Sequence, residues 1–111
     1  MNWMSAPRIA EVNRLYRCVN AVVSLVAWQL GGAGDEPLAH ELIHNCIPDT
    51  SWQAHDYSRA YEKLADTSSR VRAAYPLDGH ILADGLLVAR DYIRHMAIVA
   101  TKSDPSEGSA A

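Results

Sequence analysis

The chain has 111 residues, enough for one domain with a real core and little beyond it. Its apolar share of 49% and charged share of 21% are those of an ordinary globular protein. A formal net charge of -3 lacks the basic excess that a general phosphate-binding surface needs, so no nucleic-acid partner is expected.

The first predicted helix runs from Pro7 to Leu30. Ser5 suits the N-cap and Pro7 the first turn. Ile9, Val12, Leu15, Tyr16, Val19, Val22, Val23, Val26 and Leu30 recur by threes and fours, as one face of a helix does. Leu25 and Trp28 widen that stripe, so the C-terminal end is expected to be buried on most sides. Arg14 and Arg17 ahead of the apolar run 18–30 give it the faint outline of a secretory leader. Asn20, Ser24 and Gln29 interrupt the run, which is also too short and too polar to span a bilayer. No membrane partner is expected.

Gly31-Gly32-Ala33-Gly34 ends the helix, since glycine tolerates a left-handed backbone. The second helix is short, Glu36 to Cys46, with Asp35 as N-cap and Pro37 in the first turn. Residues 47–51 form a loop, and Pro48 closes the helix before it. The third helix starts near Trp52 and extends to Tyr75, with Tyr57, Ala60, Tyr61, Leu64, Val71 and Tyr75 on its apolar face. Its middle, "DTSSR" (66–70), is poor in helix formers and invites a bend or break. Pro76 ends it.

The fourth helix runs from Gly79 to Thr101 behind Asp78. Its expected core face is Ile81, Leu82, Gly85, Leu86, Val88, Ala89, Tyr92, Ile93, Met96 and Val99. Residues 102–111 are small and polar and read as a disordered, flexible tail. No strand alternation and no internal repeat appear. The expected fold is all-α: a compact four-helix bundle of three long helices and one short, forming a single domain over 1–101. Cys18 and Cys46 lie in apolar helical segments. One pair is too few for a disulfide scaffold, so a reducing, cytoplasmic setting is expected.

The second helix carries His40-Glu41-Leu42-Ile43-His44. Two histidines four apart on a helix share a face and can share one Zn²⁺, with the glutamate deprotonating a metal-bound water. The segment resembles the H-E-x-x-H motif of zincin metallopeptidases. Glu62-x-x-x-Asp66 further resembles the E-x-x-x-D helix of the gluzincin branch. The resemblance implies a zinc hydrolase with His40, His44 and Glu62 as ligands, Glu41 as general base and Asp66 orienting a histidine. It covers residues 40–66 only. Zincins place a small β-sheet before the motif helix, and here one long helix and a glycine turn stand there. His40, His44, Cys46 and His55 are residue types that also suit a non-catalytic metal site.

The apolar phase of these helices points elsewhere. On the second helix Leu38, Ala39, Leu42, Ile43 and Cys46 make one stripe, and the histidines lie about 150° from its centre. On the third, Glu62 and Asp66 lie about as far, roughly 150°, from the Tyr57/Tyr61/Leu64 stripe. Two helices burying those stripes in one core turn both polar faces to solvent. Arg59 with Glu62, Lys63 with Asp66 and Asp66 with Arg70 are ordinary pairings along one helix face.

Arg90 and His95 in the fourth helix resemble the R-x(4–6)-H motif of HEPN ribonucleases, themselves small helical bundles, and Asp91 fits the polar position after the arginine. That resemblance implies metal-independent RNA cleavage at a dimer cleft, with His95 in acid–base work and Arg90 stabilising the phosphorane. By periodicity the two residues flank the buried stripe on opposite sides. Leu87 and Ile98 lie on the polar side of the same helix near Arg94, which marks an outer contact surface. The expectation is therefore a non-enzymatic bundle with no cofactor. It has a regulatory, inhibitory or assembly role, and it meets a protein partner or a second copy through Leu87, Arg94 and Ile98. The zinc hydrolase is the alternative and the ribonuclease a minor one.

Overall fold

A computed structural model describes residues 6–101. The expected Ser5 cap and the expected tail, 102–111, lie outside the described residues. Four helices form: α1 (Ala6–Gly32), α2 (Glu36–Cys46), α3 (Ala54–Ala74) and α4 (Gly79–Thr101). Each helix packs on its neighbours in the chain and α4 closes back onto α1, while among the described residues the backbones of the diagonal pairs α1/α3 and α2/α4 do not approach closely. This is an up-and-down four-helix bundle, the arrangement that short antiparallel connections favour. One apolar core runs through it, with Leu15, Val19, Val23, Leu30, Leu42, Leu64, Val71, Leu86 and Ile93 fully enclosed.

The turns follow from local chemistry. Gly34 adopts a φ of 91°, Asp35 N–H donates to the Leu30 carbonyl at 2.8 Å, and Gly34 N–H donates to that of Gly31 at 3.0 Å. Those are the two bonds of a Schellman stop. Asp35 takes the N-cap position of α2, but its carboxylate makes no cap bond. It accepts the Tyr75 hydroxyl at 3.2 Å and so ties this turn to the end of α3. At the foot of α3, Gln53 N–H donates to the Asp56 carboxylate at 2.8 Å, half of a capping box.

The expected weak point in α3 does not break. Thr67 and Ser68 are buried, and the Ser68 hydroxyl donates to the Ala83 carbonyl of α4 at 2.9 Å. Small hydroxyl residues there let α4 approach, and tertiary packing overrides weak propensity.

Two expectations about burial are corrected. Leu25 and Trp28 of α1 are 59% and 72% exposed, and Ile81 and Val88 of α4 are 64% and 47% exposed. Each helix of a square bundle has only two neighbours. At about 100° per residue, Leu25 and Trp28 lie about 120° and 180° from Val19, and Ile81 and Val88 lie about 120–140° from Ile93. None of them reaches the core.

Candidate functional site

α2 buries Leu38, Leu42 and Cys46 and turns His40 and His44 to solvent. The two imidazole rings lie 4.1 Å apart, tilted by 48°. Glu41 faces sideways, onto α3. Its carboxylate pairs with the Lys63 ammonium and lies 3.9 Å from the Arg70 guanidinium. The hydrogen bond from Lys63, then its charge, then that of Arg70 hold the Glu41 carboxyl below its ordinary range. Burial pushes the Cys46 thiol up to about 12, so it stays protonated and is a poor metal ligand.

Glu62 does not join the histidines. It borders a shallow depression with Asn45, Arg59, Lys63 and Asp66, none of which is a histidine. Asp66 lies 3.9 Å from Arg70. Among the described residues no three His, Cys, Asp or Glu side chains are grouped so as to hold a metal ion. Glu41 is engaged as a helix-to-helix tie, whereas the base of a metal-bound water must face that water.

The tie has a testable electrostatic signature. Replacing Lys63 with methionine is expected to raise the Glu41 pKa toward the usual carboxylate value. Carboxyl-detected NMR titration reads this, and an unmoved titration would refute the tie. The sign follows from linkage. A depressed folded-state pKa contributes stability above the unfolded value, and that stability is lost as pH falls through the folded one.

Arg90 and His95 are also kept apart. The Arg90 guanidinium lies 5.1 Å from the centroid of the Tyr61 ring on α3 and 3.3 Å from Asp91. His95 is exposed and lies 3.9 Å from Glu11 on α1, on the other flank of α4. Of the outer stripe on α4, Leu87 is half-buried, while Arg94 and Ile98 are exposed. Arg94 borders an open depression with Tyr57, Ser58, Tyr61, Glu62 and Ala97.

A larger apolar surface lies on the face shared by α1 and α4, away from α2 and α3. Two contacts set the register there. A Cβ on Gly85 would stand 3.5 Å from Val26 Cγ2 and 3.8 Å from Val22 Cγ1, and His95 meets Glu11 near the other end. Leu25 and Trp28 of α1 and Ile81 and Val88 of α4 project from this face, with Cys18, Ala21 and Tyr92 on the same stripes. Its rims differ in charge. By helical phase Arg17 edges the α1 side and Asp91 the α4 side, while Arg14 is paired with Glu11 at 2.7 Å and Asp84 with Arg72 of α3 at 2.8 Å.

Sequence reasoning missed this surface, although Cys18, Ala21, Leu25 and Trp28 repeat by threes and fours as a second stripe on α1. No described helix is long and apolar enough to cross a membrane. Comparison of the chain with protein-family models, with curated proteins and with solved structures finds no match.

Proposed function

We propose that this chain is a non-enzymatic interaction protein, with a regulatory, inhibitory or assembly role, that works through the apolar face of α1 and α4. One observation carries the reading: Leu25, Trp28, Ile81 and Val88, four of the nine large apolar residues exposed among the described residues, fall by helical phase on one side of the bundle, while Ile9, Tyr16, Ile43, Leu77 and Ile98 are scattered elsewhere. A contiguous apolar patch with a charged rim is the usual mark of a protein contact. Covering it returns roughly 1 kcal/mol or more for each side chain removed from water. The outer stripe of α4, with Leu87, Arg94 and Ile98, is a second and smaller contact area. Free thiols at Cys18 and Cys46 support a reducing, cytoplasmic setting.

The test is photo-crosslinking in the producing cell. A photoreactive residue replaces Leu25 or Val88 in one set of variants, Ile98 in a second and His40 in a control. Discrete protein adducts are expected at 25 and 88, with fewer at 98. Adducts no more abundant than at the exposed histidine would defeat the reading.

A further inference from the structure

We infer that a second copy of this chain covers the α1/α4 face, with a two-fold axis along the bundle, so that α1 of each copy lies on α4 of the other. This rests on the proposal that the α1/α4 face is the interaction surface, and it names the occupant.

The register gives the first argument. Gly85 against Val22 and Val26, and His95 against Glu11, place Trp28 level with Ile81, Ala21 level with Val88, and Arg17 level with Asp91. A two-fold axis parallel to the helices preserves these heights across the interface. Trp28 of one copy then covers Ile81 of the other, and Val88 meets the small Ala21. Three of the four large exposed apolar side chains of the face, Trp28, Ile81 and Val88, are used, and a small residue is opposed to a larger one.

Charge gives the second. Arg17 lies on the outer rim of α1 and Asp91 on that of α4, while Arg14 and Asp84 are already held by Glu11 and Arg72 within the chain. Crossing α1 onto α4 brings Arg17 of one copy to Asp91 of the other, once at each edge. The other two-fold, perpendicular to the helices, lays α1 on α1 and α4 on α4. It sets acid against acid and base against base. Like charges facing each other select against that pairing.

Area gives the third. The face is two helices wide, about 20 Å, and from Ile81 to Val99 about 27 Å long. That is roughly 500 Å² per copy, or ~1,000 Å² in all, in the range of weak and transient interfaces. A dimer dissociating at roughly tens of micromolar fits such a contact.

Analytical ultracentrifugation of the full chain in chelator, from about 1 to 200 µM, tests the inference. The mass is expected to rise from 12.2 kDa toward twice that value. Arg17→Asp and Asp91→Arg are each expected to weaken association at least tenfold, and the double exchange to restore it to within about threefold of the original. Circular dichroism melts confirm that each variant is folded. A chain that stays at 12.2 kDa throughout overturns the inference. A heterologous adduct at 25 or 88 in the cell would still leave the interaction reading standing. A dimer in which the two exchanges add rather than compensate overturns the crossed arrangement.

Discussion

Replacing Leu42 with alanine is expected to cost the fold about 2–5 kcal/mol, the range for a large-to-small change in a closed core. Leu42 lies inside the H-E-x-x-H segment and is fully enclosed. α2 is the shortest helix and buries only Leu38, Leu42 and Cys46. Leu42 is the middle of the three, so its loss opens a cavity where α2 meets the core. Exchanging both His40 and His44 for alanine is expected to change stability by no more than about 0.5 kcal/mol, because both rings stand in water. Urea unfolding of the two variants side by side decides the matter. A histidine double variant that loses as much as Leu42→Ala would mean that the imidazoles hold the fold, as metal ligands do.

Gly79→Ala is the second large effect, expected at about 1–3 kcal/mol. A Cβ at Gly79 would stand 2.5 Å from the Val71 carbonyl oxygen and 3.0 Å from the Tyr75 Cβ. The first neighbour is backbone and cannot swing aside. Gly79 N–H also donates to the Tyr75 carbonyl at 2.6 Å, so the start of α4 is pressed against the end of α3. Gly31 is the control. Nothing lies within 4 Å of its would-be Cβ, and alanine there, within α1, is expected to be neutral or stabilising. Thermal melts of both variants read the difference. Equal melting temperatures would show that the α3–α4 corner has room to give.

The helices were legible because their causes are local. Asp35 and Pro37 mark the start of α2, Pro48 follows its end, and the observed helix has the expected bounds. α1 and α4 fall within two residues of expectation, and α3 begins at Ala54 rather than near Trp52. The continuity of α3 was not legible. Propensity at 66–70 speaks for a break, while the packing of Thr67 and Ser68 under α4 is known only once α4 is in place.

Burial on α1 and α4 was misjudged for a related reason. Spacing groups apolar residues into stripes but does not say how many neighbours a helix has. With two neighbours each, these helices bury one stripe and expose the other. H-E-x-x-H marks the converse case. The pattern is local, but a site needs a third group, and the fold sends Glu41 to Lys63 and Glu62 to a different surface.

The α1/α4 face is what most needs testing, and one measurement addresses it directly. Two-dimensional ¹H–¹⁵N spectra are recorded as the labelled protein is diluted from about 500 to 20 µM, across a dissociation constant of roughly tens of micromolar. The expected changes are confined to α1 around Leu25 and Trp28, including the Trp28 indole N–H, and to α4 around Ile81 and Val88. Changes centred on His40 and His44, or a spectrum unaltered by dilution, would contradict self-association through this face.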